Sequence, residues 1–244
     1  MVAGDIHRLA VTFSSLQGFS NLMNNALLVI PLAYLIGSIP SGLLVVRAAT
    51  GKDVRTVESG RTGDTNAMRA AGALAGLMTA LLDTLKGAVA VWVGTLLSSG
   101  SEWLAAASGL MAVIGHNYSA FLVEKDESGK LCFRGGAGGA TTLGASIGLW
   151  LNSWMVILPF AGVFYVLVGY ASLTTITIAL TASGIFIIRA INGSNPWVYA
   201  LFGLTAVITV LIALRPNIQQ LMQGTERRVN LIARLFGTKD IPWS

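Results

Sequence analysis

Four short clusters in this chain carry residue types that can do chemistry. The first is Glu58-Ser-Gly-Arg-Thr-Gly-Asp-Thr-Asn-Ala-Met-Arg69, which combines two glycines, hydroxyl and amide side chains, and two arginines. Glycine lets backbone N–H groups approach an anion, and an arginine fork grips phosphate in a plane. The same residues also read as a polar loop with a helix start at Thr65 or Asn66. The second cluster is Phe133-Arg-Gly-Gly-Ala-Gly-Gly-Ala-Thr-Thr142, four glycines beside Arg134 running into an apolar segment. A helix N-terminus there offers free N–H groups to an anion; a flexible loop or close packing would use the same glycines. The third is Asp83 and Lys86, three residues apart inside an apolar run, where they share a helix face. Ionisable groups at membrane depth are costly and often functional, but a structural ion pair explains them too. The fourth is Gly115-His116-Asn117-Tyr118, where His116 either handles a proton or binds an oxygen, or is held as a buried structural histidine.

These clusters need a scaffold, and composition says which kind. The chain has 244 residues, of which 54% are hydrophobic and 11% charged, with a mean hydropathy of +0.69. A soluble domain carries about 25% charged residues, so this surface meets lipid. Apolar runs are expected to form spans at Leu27–Ala49, Ala70–Leu97, Trp103–Val123, Ala140–Leu151, Trp154–Tyr170, Thr174–Ile191 and Trp197–Leu214. The expected fold is therefore all-α, a polytopic membrane protein of about seven transmembrane helices. Gly72, Gly76, Gly144 and Gly148 sit at the four-residue spacing that lets helices approach closely.

The net charge is +5, and the basic residues gather in three segments, Arg47–Arg69, Glu124–Arg134 and the tail after Leu214. With seven spans these lie on one side, and positive residues mark the cytoplasm, so the N-terminus is expected outside and the C-terminus inside. The basic residues then face anionic membrane lipid; no basic surface domain exists to hold nucleic acid. Cys132 is alone, so neither an internal disulfide nor a cysteine metal site is available, and two histidines, His7 and His116, do not make a histidine metal site. Residues 1–25 lack a cleavage signal and read as an N-terminal extension. Residues 26–216 form the membrane domain, and 217–244 a cytoplasmic tail. In that tail Ile218, Leu221, Met222, Val229, Ile232, Leu235 and Phe236 alternate with arginines as an amphipathic helix would, unless the tail is loosely ordered.

In this order, the clusters resemble the bacterial acyl-phosphate-dependent glycerol-3-phosphate acyltransferase family. The resemblance runs from about Tyr34 to Glu226. It is carried by Gly37-Ser-Ile-Pro-Ser-Gly42, by Ser59-Gly60 with Gly63, Thr65-Asn66 and Arg69, and by Asp83-Thr-Leu-Lys-Gly87. Further matches are Gly115-His-Asn-Tyr118, Phe133-Arg-Gly-Gly136 with Gly138 and Ala140-Thr141, Ser172-Leu173 with Thr175-Ile176, and Asn217-Ile218 with Leu221, Gly224 and Glu226. The chain is a divergent member by this comparison. Ala137 stands where the family has lysine, Leu214 where it has histidine, Arg61 where it has asparagine, Glu58 where it has glycine, and Ser119 where it has proline.

The resemblance implies a membrane enzyme of the bacterial plasma membrane that moves a fatty acyl group from acyl phosphate to glycerol 3-phosphate, with no cofactor and no metal. It implies catalytic roles for Ser59, Arg69 and Asn217. Arg61, Asn66, Arg134, Gly135, Gly136, Gly138, Thr175 and His116 would bind substrate, with Arg61 and Arg134 compensating charge and Thr175 standing for a family serine. Asp83 and Lys86 would order the site. Two rival readings are a non-catalytic relative that binds phosphorylated lipid or a membrane partner, motivated by Ala137 and Leu214, and a small transporter, against which stands the lack of an inverted repeat.

Overall fold

The computed structural model describes residue 23, residues 25–125 and residues 128–229. The expected extension, apart from its last residues, and the tail beyond 229, with Ile232, Arg234, Leu235 and Phe236, lie outside the described residues. The chain is all-α apart from one small hairpin among the described residues. In order the elements are α1 (25–38), α2 (Ser41–Thr50), α3 (Asp64–Ala71), α4 (Ala73–Leu97) and α5 (Glu102–Asn117). The antiparallel strands β1 (Val123–Lys125) and β2 (Leu131–Phe133) follow. Then come α6 (Gly139–Leu149), α7 (Trp154–Val168), α8 (Ala171–Ile191), α9 (Trp197–Ala213) and α10 (Arg215–Met222).

Four helical stretches are long and apolar enough to cross a membrane: Asn25–Thr50, Ala73–Leu97, Leu151–Val168 and Ala171–Ile191. A fifth forms if α9 and α10, bent by 63°, are counted together. Two of the seven expected segments behave differently. At 1.5 Å per residue the 16 residues of α5 and the 11 of α6 reach about 24 and 17 Å, short of a hydrocarbon core of about 30 Å. The third expected segment stops being helical at Asn117, and its remainder turns into β1. Its apolar composition resembles that of a span, but Phe121 and Val123 are exposed on the hairpin side.

Helix breaks set the site up. Pro40 has no N–H to continue the ladder, and it divides α1 from α2. Gly72, expected to be a packing glycine, is instead the hinge between α3 and α4: its φ of +88° is one that a side chain would strain, and a Cβ there would meet nothing. The other three glycines do pack. Gly76 lies against Met68, Gly144 against the Thr84 carbonyl, and Gly148 against Val91. Gly87 answers from α4, against the Thr141 carbonyl, so α4 and α6 cross almost backbone to backbone.

α6 is thereby enclosed by α4, α5 and α8. The largest apolar cluster gathers Val91, Ala105, Ala145, Phe186, Phe202 and Ala206 around it. Phe186 meets Tyr199 and Phe202 edge to face, with centroids 5.8 and 6.1 Å apart. Outward, Leu74, Leu96, Phe160 and Leu167 are bare, which suits lipid and not water.

The three basic segments meet at one end. Arg55 pairs with Glu124 at 2.6 Å, Arg134 with the same carboxylate at 3.2 Å, and Arg227 with Glu58. Arg189, towards the other end of α8, lies 3.9 Å over the Trp150 ring. Past α9 the chain kinks, and α10 ends at Met222; residues 223–229 then run without helix, so within the described residues the amphipathic helix is eight residues long.

Candidate active site

At the basic end lies a cavity of about 1220 Å³. Every site residue expected from the sequence lines it except Lys86. Three segments far apart in the chain therefore share one space: the loop before α3 with Arg69, the glycine turn before α6, and Asn217 on α10.

The loop before α3 is tied down by Asn66. Its buried side-chain amide donates to the carbonyls of Val54, Val57 and Arg61, at 3.0, 2.9 and 2.8 Å. The nitrogen of Asn66 thus shapes the loop, while its Oδ1 has no partner. Ser59 accepts from the Arg61 N–H at 3.4 Å. Asp53 holds the base of the loop by accepting from Arg55 on both the backbone and the side chain. That guanidinium keeps the Asp53 carboxyl below its ordinary pKa.

The glycine turn is fixed from three sides. The Gly136 N–H donates to the His116 carbonyl at 2.9 Å, and the Gly136 carbonyl accepts from Arg61 at 3.1 Å. The Gly135 carbonyl accepts from the Thr62 N–H at 3.3 Å. A Cβ on Gly135 would strike the His116 and Asn117 carbonyls, and one on Gly136 the His116 ring. Gly138 caps α6 with φ +90° and no side-chain hydrogen bond. The first N–H groups of α6 are consequently left at the wall, where Gly139 and Ala140 line the cavity. Thr175 is beside them, its hydroxyl 3.0 Å from where a Gly139 Cβ would stand.

Below the turn, Asp83 pairs with Lys86 at 2.8 Å, and His116 Nδ1 lies 3.5 Å from the same carboxylate oxygen. Lys86 also donates to the Ile39 carbonyl at 2.7 Å. All three are buried. Lys86 faces this network and is not among the residues that line the cavity.

On the far wall Asn217 donates to Glu226 at 3.2 Å, and Ser172 donates to the other oxygen of the same carboxylate at 2.8 Å. Arg69 reaches the Arg227 carbonyl at 3.4 Å. Arg134 is 56% exposed and sits at the rim. Two further residues belong to the site. Glu226 is the tie between α8 and α10; its signal was an acid among basic residues in a matched motif. Asp64, first residue of α3, lines the cavity, and burial together with the Asp83 charge pushes its carboxyl above the ordinary value. The sequence places the helix start at Thr65 or Asn66, one or two residues later, and only the fold brings Asp64 near Asp83.

The arrangement can hold two anions. It offers an uncapped helix start, two arginines on the loop side, and hydroxyl and amide groups on the opposite walls. Among the described residues no cluster of three or more His, Cys, Asp or Glu side chains suited to a metal occurs.

Residues 27–224 match the family model described as glycerol-3-phosphate acyltransferase. Glycerol-3-phosphate acyltransferase 2 of Moorella thermoacetica is 38% identical over 210 residues, covering 83% of this chain and 97% of the relative. Glycerol-3-phosphate acyltransferase of Geobacter sulfurreducens is 39% identical, covering 84% and 98%. Among solved structures, the glycerol 3-phosphate form of PlsY, an integral membrane glycerol 3-phosphate acyltransferase, superposes with a TM-score of 0.72 at 29% identity, covering 86% of this chain and 98% of the other. The lysophosphatidic acid form of the same enzyme gives 0.70.

Proposed function

The chain belongs to the glycerol-3-phosphate acyltransferase family, and from that premise we propose that it transfers a fatty acyl group from acyl phosphate to glycerol 3-phosphate. The hydroxyl oxygen of glycerol 3-phosphate attacks the acyl carbonyl carbon. The bond from that carbon to the phosphate oxygen breaks, phosphate leaves with the electron pair, and the hydroxyl proton goes with it. The products are lysophosphatidic acid and inorganic phosphate. The donor is already activated, so holding two phosphates in register and stabilising the leaving charge supplies the acceleration.

The observation that carries this reading is the convergence of Arg69, the Gly135–Gly138 turn and Asn217 on one cavity. In this reading Ser59, Arg69 and Asn217 hold glycerol 3-phosphate. The glycine turn and the N–H groups at the start of α6 cradle the acyl phosphate, and Thr175 donates to a phosphate oxygen. Arg134 adds charge at the rim, Asn66 keeps the loop shaped, and His116 supports the turn over the Asp83–Lys86 pair. The cavity opens to the cytoplasmic leaflet of a bacterial plasma membrane, with the N-terminus outside and basic residues against anionic lipid.

The test is acyl transfer by the purified chain, comparing acyl phosphate with an acyl thioester, alongside Arg69→Ala. Turnover with acyl phosphate and its collapse in Arg69→Ala are the expected results. Undiminished turnover in the variant rejects the arginine assignment, and preference for the thioester rejects the donor.

One observation favours a second reading, a non-catalytic relative. Ala137 and Leu214 pack together in an apolar cluster with Ala179 and Val210, giving no cation at either position. Binding of glycerol 3-phosphate without turnover of either donor would select it.

A further inference from the structure

Five arginines line the cavity: Arg61, Arg69, Arg134, Arg215 and Arg227. Arg134 and Arg227 have carboxylate partners, and Arg215 is exposed. Arg69 is half-buried on the α3 side and touches the Arg227 carbonyl. Arg61 differs from the paired arginines. It is half-buried, and no carboxylate lies within ion-pair distance of it among the described residues. Its guanidinium donates instead to two main-chain carbonyls, Gly136 at 3.1 Å and Ala213 at 2.6 Å. Burial lowers its pKa, and the charge of Glu226 acts on it only through space.

A guanidinium has five N–H donors. Two carbonyls leave donors unused and the charge uncompensated, which is costly in a part-buried place unless an anion comes to it. The residues next to its two anchors cannot help or compete. Ala137 follows Gly136 and Leu214 follows Ala213, and both turn into the same apolar cluster. Arg61 thus spans the glycine turn and the end of α9, and the residues that follow its two anchors, Ala137 and Leu214, bring no polar side chain to it.

We infer that Arg61 is the cation that receives the phosphoryl group of the acyl phosphate, on the glycine-turn side of the cavity. This rests on the acyl-transfer reading above and adds a specific residue and a specific substrate to it. The contact with Gly136 places the guanidinium beside the turn that would cradle that phosphate. The fork takes phosphoryl oxygens with its remaining N–H groups and stabilises charge as the acyl–oxygen bond breaks. The same side chain ties Gly136 to Ala213, so the site's two walls are joined through the residue that holds the anion.

The test uses Arg61→Gln, which keeps an amide donor for the carbonyls but removes the charge, and Arg61→Lys, which keeps the charge but not the fork. Steady-state kinetics of the purified chain are measured with each substrate varied in turn. Arg61→Gln is expected to lower kcat/KM for acyl phosphate by about 100-fold, the usual scale of losing a donor to a developing charge, while KM for glycerol 3-phosphate stays put. Arg61→Lys is expected to fall between Arg61→Gln and the parent. A change confined to KM for glycerol 3-phosphate, or no change, overturns the inference.

A second measurement does not depend on turnover. Inorganic phosphate should raise the melting temperature of the parent chain in detergent, less in Arg61→Lys and least in Arg61→Gln, where only the Ser59, Arg69 and Asn217 side remains to hold it. Equal protection of all three, or none of the parent, counts against Arg61 as the receiving cation. If the parent turns over neither donor, the acyl-transfer reading fails by itself, and phosphate protection alone decides whether Arg61 is an anion site.

Discussion

The imidazole of His116 lies directly against the α-carbon of Gly136, with no room for a side chain between ring and turn. The ring therefore acts as the support on which the turn rests, and the turn cannot sink or be padded without moving it. Gly136→Ala must push one of them aside. Overpacking of this kind costs roughly 1–3 kcal/mol, and a misplaced cradle about 100-fold in rate. Acyl transfer measured beside a melting curve checks this: the expected result is a folded chain with crippled turnover, and parent-like turnover would show that the turn yields freely.

Glu226 accepts from Ser172 and Asn217 at once, joining α8 to α10 across the cavity. Glu226→Gln replaces one of those acceptor oxygens with a donor, so one of the two bonds is lost. KM for glycerol 3-phosphate is expected to rise about tenfold, the worth of one charge-assisted hydrogen bond. An unchanged KM would mean that Asn217 needs no such support.

The Asp83–Lys86 pair is buried on the other side of the support. Breaking such a pair from one end strands the remaining charge, at a cost of about 3–5 kcal/mol. Lys86→Met should therefore melt far lower than the parent in detergent, and Asp83→Asn with Lys86→Met should regain much of the loss. Equal melting of the single and double variants would sink the assignment of the pair as structural.

At the base of the loop, pH dependence has a definite sign. Arg55 holds the folded-state pKa of Asp53 below its ordinary value of about 3.9. The ionised form is favoured on folding, so the stability it adds is complete above that ordinary value and fades as pH drops through the lower folded one. Thermal melts run downward from pH 5 should show the parent losing more stability than Asp53→Asn. Parallel curves would count against the contact.

Ala137→Lys would set an ammonium beside the Arg61 guanidinium and its stem among Ala179, Val210 and Leu214. Activity is expected to fall in the parent background and to rise in the Arg61→Gln background. Gains in both backgrounds would mean the two positions do not share a charge.

Much of this could be read from residue order, though unevenly. The clusters at Ser59–Arg69, Gly135–Gly138 and Asn217 were visible because glycine, arginine and amide side chains are rare in a chain so apolar. Their convergence was not, since it depends on the crossing of α4 over α6 and on the bend after Ala213. Trp103–Val123 misled because hydropathy does not distinguish a span from a short helix followed by an apolar hairpin; the turn at Tyr118–Leu122 is made by Ser119 and Arg134 backbone contacts from far along the chain. Gly72 misled because spacing cannot tell a packing glycine from a hinge. Arg61 is legible in the sequence as a charge-compensating residue, but only the packed arrangement of Ala137 with Leu214 shows what surrounds it.

At the interruption by Pro40 the Ile39 carbonyl accepts from the Ser41 N–H at 3.0 Å and from Lys86 at 2.7 Å. A kinked helix in hydrocarbon and a lysine in the protein interior would each be a defect alone. Here each gives the other a further polar partner. A lineage could hardly straighten the first helix, or neutralise that lysine, in one step without disturbing its counterpart; the two positions are expected to drift together or not at all.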